Sequence, residues 1–182
     1  MPSVLASLQD HIRRPLPRSF VLTIVALLLL GGAGFGLRRA MFGAANPALD
    51  ERLSYTPREA LDFLLAIERH GRDIYVQTLL SLDMVFPVLF AILLAIPLAR
   101  LFPRSDGRVL WLPIGIVLVD WAENCVLALI ASAPAAATDA RIVTASTLTT
   151  CKWGLIAMAV IAILVGFRRR ARGRTQPASG AA

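Results

Sequence analysis

Cysteine, histidine and lysine are nearly missing from this chain of 182 residues. It has two cysteines and two histidines, and its basic residues are almost all arginines. Cys125 and Cys151 fit no C-x-x-C or zinc-type spacing, which excludes a thiol-redox motif and a structural zinc site of the common kinds. Both lie in apolar runs, where a cysteine is expected to act as a small buried hydrophobe. A disulfide between them would need the last two apolar runs to bring them together. Asp83, Asp120 and Glu123 could in principle form a carboxylate metal site, but no histidine supports it and Lys152 opposes it. No metal and no cofactor is therefore expected. Long polar stretches are also scarce. Despite a net charge of +7 and a pI near 10.9, no soluble domain is left over to bind nucleic acid, and a nucleic-acid partner is not expected.

What is present is apolar sequence in blocks. Hydrophobic residues make up 57% of the chain and the mean hydropathy is +0.66. Apolar runs near or above about 18 residues read as membrane-crossing helices. Four are predicted, at about 20–37, 74–98, 109–131 and 142–167, giving an all-α integral membrane protein with a four-helix bundle. Pro87 falls inside the second, so a kink or local unwinding is expected near it. Pro113 falls in the first turn of the third, where proline is tolerated. Gly32 and Gly36 form a G-x-x-x-G, a pattern that lets another helix approach closely. A basic leader before the first run also resembles a signal peptide, and cleavage would leave three spans. The run is long for that role and lacks a clear A-x-A site, which favours an uncleaved anchor. No internal repeat is evident.

Residues 1–19 form a leader in which Val4, Leu5, Leu8 and Ile12 recur at helical spacing opposite Gln9, Arg13 and Arg14. Two readings are open: an amphipathic segment on the membrane surface, or a disordered tail. The one sizeable hydrophilic loop is 38–73, with six acids and six arginines. Within it, Thr56-Pro57-Arg58-Glu59 has the form of a capping box with proline at the first helical position. A short amphipathic helix is predicted over 57–70, with His70-Gly71 as its stop and Leu61, Leu64 and Leu65 on its apolar face. Tyr75, Phe102 and Trp111 fit an interfacial aromatic belt. Residues 168–182 read as a basic disordered tail.

Arginine counting orients the chain. With the N-terminus inside, the cytoplasmic segments carry eleven arginines against Asp10 and Asp106; the outer loops carry seven arginines against seven acids. Both termini are then cytoplasmic, in a cell membrane such as a bacterial inner membrane. Arg38 and Arg39, just after the first run, go against this trend.

Four ionisable residues lie inside the apolar runs: Asp83, Asp120, Glu123 and Lys152, with Asn124 beside them. Each charge at mid-bilayer costs at least about 2.5–3.5 kcal/mol, so four need a reason. At about 1.5 Å per residue they lie roughly 13, 16, 12 and 15 Å from the outer helix ends, in one layer. Asp120, Glu123 and Asn124 share a helix face at i, i+3 and i+4, and Thr149 shares a face with Lys152. Lys152 is expected to pair with one carboxylate. Trp121 and Trp153 adjoin the layer and could line a cavity there, with packing the favoured role.

Such a layer supports three functions. Asp120 and Glu123 could serve as acid and base toward a lipid-like small molecule, with Asp83, Lys152 and Asn124 in support. The same acids could relay protons or bind a cation in a transporter or channel subunit, which with four helices would act as a homo-oligomer. Or the layer could only fix helix packing in an accessory protein. Membrane lipids are the expected surroundings in every case.

Overall fold

The computed structural model describes residues 4–15, 17–42 and 47–174, and these are helical with no strand among them. The order is α1 Val4–Arg13, α2 Arg18–Phe42, α3 Pro57–Ala66, α4 Glu68–Leu80, α5 Leu82–Leu101, α6 Trp111–Ser132 and α7 Asp139–Arg174. Four helical stretches are long and apolar enough to cross a membrane: Phe20–Phe42, Glu68–Leu101, Arg108–Ser132 and Asp139–Arg172. Their outward faces carry exposed Leu22, Leu29, Leu118, Leu129, Leu164 and Phe167. Large apolar side chains are thus left uncovered on these faces.

Several boundaries differ from the sequence reading. The first run continues as helix to Phe42 rather than ending at 37, because Arg38 is held inside the bundle. The last helix continues through Arg174, so the basic segment 168–174 is helix; residues 175–182 lie outside the described residues. The helix with the capping box starts as expected. Thr56 accepts from the Glu59 amide at 3.3 Å and the Glu59 carboxylate accepts from the Thr56 amide at 2.7 Å. It stops at Ala66 rather than at His70-Gly71, because Glu68 adopts a left-handed φ of 55° and turns the chain into α4. Its inward face is Ala60, Phe63, Leu64 and Ile67, while Leu65 points out.

The second predicted span is two helices, α4 and α5, with the break at Ser81 (φ −124°, ψ −78°). The unwinding thus falls six residues before Pro87, and its cause is visible. Proline has no N–H for the carbonyl four residues back and crowds it. That carbonyl belongs to Asp83, and Asn124 Nδ2 donates to it instead at 2.9 Å. Trp121 Nε1 donates to the next carbonyl, that of Met84, also at 2.9 Å.

The bundle is assembled on α6 and α7. On α6 the buried positions Pro113, Ile116, Asp120, Glu123, Asn124, Leu127 and Ala131 follow i+3/i+4 spacing, as one packed face requires. On α7, Ile142, Ala145, Thr149, Lys152 and Ala159 do the same. The α2 helix leans on α5 along a seam of Ile24, Gly31 and Arg38, seven residues apart. A Cβ at Gly31 would come within 2.6 Å of the Phe86 ring and one at Gly34 within 3.0 Å of Leu82. The close approach therefore uses Gly31 and Gly34, not the G-x-x-x-G pair: a Cβ at Gly32 or Gly36 would meet open space.

Two ends of the bundle are distinct. At one, α1 docks on the α5–α6 turn. Gln9 Nε2 donates to the Phe102 carbonyl at 2.7 Å, and Gln9 Oε1 accepts from Ser105 at 3.1 Å and from the Gly107 amide. This settles the leader as a helix over Val4–Arg13, but its buried side centres on Gln9, while Val4 and Leu8 are exposed. The C-terminal part of α7 reaches the same end, where Gly166 lies against Leu101. At the other end, Phe42, Phe63 and Tyr75 pack edge to face, with centroids 5.6–5.9 Å apart, and tie α2 to α3 and α4. Tyr75 is fully buried there rather than interfacial. Cys125 and Cys151 are free and exposed, the reverse of the burial expected of them.

Candidate functional site

The polar layer gathers at the second end, and its centre is Lys152, the chain's only lysine. The register of α7 turns Lys152 inward one turn after Thr149, toward the α6 face bearing Asp120, Glu123 and Asn124. Lys152 Nζ lies 3.0 Å from Asp120 Oδ1, 2.7 Å from Glu123 Oε2 and 3.2 Å from the Asp50 carbonyl. These three oxygens surround the ammonium, the Glu123 contact being a close ion pair rather than an aligned hydrogen bond. It pairs with two carboxylates rather than the one expected, because the i, i+3 spacing on α6 brings both to it. The Thr149 hydroxyl lies 2.6 Å from Glu123 Oε1 and donates to it.

A second cation, Arg38, completes the layer. It is 3% exposed, although the sequence placed it among the loop charges. Its guanidinium lies over the rings of Phe35 and Tyr75, 5.0 and 5.6 Å from their centroids. One terminal nitrogen donates to Asp83 Oδ2 at 3.0 Å; the other donates to Asp50 Oδ2 at 2.8 Å and Glu51 Oε1 at 3.0 Å. The Tyr75 hydroxyl donates to Asp50 Oδ1 at 2.8 Å. Asp83 therefore belongs to Arg38, not to Lys152. Asp50 joins the two halves, offering its carboxylate to Arg38 and its carbonyl to Lys152. Burial alone would raise the Asp50 carboxyl; the charges of Arg38 and Lys152, with hydrogen bonds from Arg38 and Tyr75, hold it below its ordinary value.

The segment carrying Asp50 and Glu51 is a 3-10 turn, Leu49–Glu51, fixed across the top of α7. Trp153 Nε1 donates to the Arg52 carbonyl at 2.9 Å, Thr150 to the Leu53 carbonyl at 3.0 Å, and Ser146 accepts from the Tyr55 amide at 2.9 Å. The loop is thus a structural lid over the polar end, built largely of the residues that composition alone assigns to solvent.

Beneath it lies a cavity of about 600 Å³ between α2, α5, α6 and α7. Ligand pockets commonly hold about 300–1,000 Å³. Its polar end is lined by Arg38, Asp50, Asp83, Asp120, Asn124 and Lys152, with Glu51 and Arg39 at the edge. Its other end is lined by Phe86, Phe90, Ile116 and Ile156. Gly32 and Gly36 face it from α2. α2 packs mainly on α5 and α4, and α7 mainly on α6 and α5, so no extensive packing joins α2 to α7 among the described residues.

All five predicted residues lie in this region, but not equally. Asp83, Asp120, Asn124 and Lys152 line the cavity; Glu123 is fully buried behind Lys152 and is not on the wall. Of the candidate acid and base, only Asp120 can touch a molecule in the cavity. Around the wall, five carboxylates meet three cations: Asp50, Glu51, Asp83, Asp120 and Glu123 against Arg38, Arg39 and Lys152. Among the described residues no three His, Cys, Asp or Glu side chains are grouped as a metal site requires. Comparison with known protein families, with characterised proteins and with solved structures gave no match for this chain.

Proposed function

We propose that this is a four-span integral membrane protein that binds, and by way of Asp120 acts on, a lipid-like amphiphile taken up sideways between α2 and α7. The observation that carries this reading is the cavity itself: a charged end under a fixed lid, an apolar end toward the bundle middle, and a glycine-lined gap beside it. An apolar tail gains roughly 25 cal/mol per Å² only when it leaves water; leaving lipid, it needs a shaped slot and a polar anchor. The wall has both. In this reading the end bearing α1 and the C-terminal part of α7 is cytoplasmic, and the site opens toward the outer leaflet. Burial of Arg38 supports that orientation, because an arginine neutralised inside the bundle no longer weighs as a loop charge.

The test is native mass spectrometry of the protein purified in mild detergent, wild type beside Gly36→Leu. Leucine at 36 projects into open space, so it fills the cavity without disturbing a helix contact. The wild type should carry a discrete bound species and the variant should lose it. An empty wild type, or equal retention by both, would overturn the reading and leave the polar layer as packing alone. The carboxylate excess supports a second reading, a proton- or cation-coupled unit, for which proton flux in reconstituted vesicles is the check.

A further inference from the structure

Building on that cavity reading, we infer that the polar end of the cavity selects a protonated amine, so that the ligand is a cationic, hydrogen-donating amphiphile rather than an anionic, phosphate-headed one. Two independent features point there. First, most donors of the wall are committed, with the Arg38 Nε–H the buried exception. The Lys152 ammonium faces three oxygens, and both terminal nitrogens of Arg38 face carboxylates. A phosphate would have to compete with these pairs and would meet the four wall carboxylates Asp50, Glu51, Asp83 and Asp120. Counting Glu123 behind Lys152 as a fifth, the carboxylates exceed Arg38, Arg39 and Lys152 by two negative charges when all are ionised. An incoming cation removes part of that excess, and in low dielectric this attraction is strong.

Second, the cavity wall holds an acceptor with nothing to accept. Asn124 is 1% exposed, and its Nδ2 donates to the Asp83 carbonyl at 2.9 Å and to Asp120 Oδ2 at 3.1 Å. Both partners are acceptors only, so the amide orientation is fixed and Oδ1 must lie on the other side. Among the described residues, Oδ1 has no hydrogen-bond partner. A buried carbonyl-type oxygen left unpaired costs about 1–3 kcal/mol, which a ligand N–H would recover. Asp83 and Asp120 line the same cavity, so their charge adds to the attraction of an ammonium bound there.

The test uses the full-length protein in phosphatidylcholine nanodiscs and three probes with the same tail: dodecylammonium, dodecyltrimethylammonium and dodecyl phosphate. Binding is read as a saturable rise in the thermal unfolding midpoint. Dodecylammonium should bind about tenfold or more tightly than dodecyltrimethylammonium, which has no N–H, the worth of one hydrogen bond from a charged donor. Dodecyl phosphate should bind most weakly. Asn124→Leu should weaken dodecylammonium by a similar factor and leave the trimethyl probe unchanged. Phosphate binding as tight as the amine, or an amine advantage absent from the wild type, overturns the inference while leaving the cavity reading intact. Failure of every probe on the wild type, or equal binding by Gly36→Leu, overturns the cavity reading as well. The ranking on the wild type needs no variant, so it decides the matter even if Asn124→Leu does not fold.

Discussion

Pro87 and Asn124 sit on different helices and complete one hydrogen bond between them. Pro87 cannot donate to the Asp83 carbonyl, and Asn124 Nδ2 donates to it at 2.9 Å. The proline leaves a backbone acceptor open at the helix break, and the side chain from α6 closes it. The same contact fixes Asp83 beside Arg38 and orients the Asn124 amide.

A double-mutant cycle on this pair has a definite expected sign. Asn124→Ala should cost about 0.6 kcal/mol and at most about 1.7, the average and the maximum for hydrogen bonds between membrane helices. Pro87→Ala restores the missing N–H, so Asn124→Ala should cost less in that background. Unfolding by SDS in mixed micelles measures both; equal costs in the two backgrounds would show that the proline and the amide are not coupled.

Removing Arg38 should be severe. Arg38→Met leaves Asp50 and Asp83 buried without their cation, and breaking a buried ion pair costs about 3–5 kcal/mol. Adding Asp50→Asn and Asp83→Asn should recover much of that loss. The same unfolding assay decides it: a triple variant no more stable than the single one contradicts the pairing.

The pH dependence follows from Asp50. Its carboxyl is held below its unfolded value, which is about 3.9. Its stabilising contribution is therefore fully present above that value and is lost as pH falls through the lower, folded one. Between pH 7 and 3, the unfolding midpoint of Asp50→Asn should decline less steeply at the acid end than that of the wild type. Superimposable acid limbs would remove Asp50 from the account.

Gly107 holds the docking of α1. Its φ is 82°, and a Cβ there would collide with the backbone of Leu5. Gly107→Ala should cost at least about 1–2 kcal/mol from the left-handed backbone alone. The loss should be local: faster amide exchange in Val4–Arg13 and faster proteolysis of the leader, with α5 and α6 unchanged.

The sequence made some of this legible because the signal was periodic. Asp120, Glu123 and Asn124 announce a shared face by spacing, and Lys152 on another apolar run announces a partner. The Thr56 capping box is local chemistry and starts the helix it was expected to start. Arg38, Asp50 and Tyr75 were missed because each stands where charge and aromaticity have a simpler explanation. An arginine at the end of an apolar run reads as an anchor, an aspartate in a loop reads as solvated, and a tyrosine nearby reads as interfacial. What buries them is the loop folding back over α7, a long-range event with no periodic trace. The exact balance of six acids and six arginines over 38–73 was the available hint that these charges meet each other. The break at Ser81 was displaced for a similar reason. Proline marks where a donor is missing, while the backbone relieves the crowding upstream, where α6 supplies replacement donors.

The burial of Arg38 bears on how the chain is made. Its anionic partners lie 12, 13 and 45 residues later in the sequence. In the membrane reading proposed above, while a ribosome has produced only α2, the arginine has no carboxylate to meet, and its long side chain must reach for the headgroup region. The helix can then be threaded into the bilayer but not seated. Seating waits for the chain to extend past Asp83, so α2 joins the others only after the second hairpin arm has emerged. A nascent chain stopped before residue 82 should hold an inserted but undocked first helix.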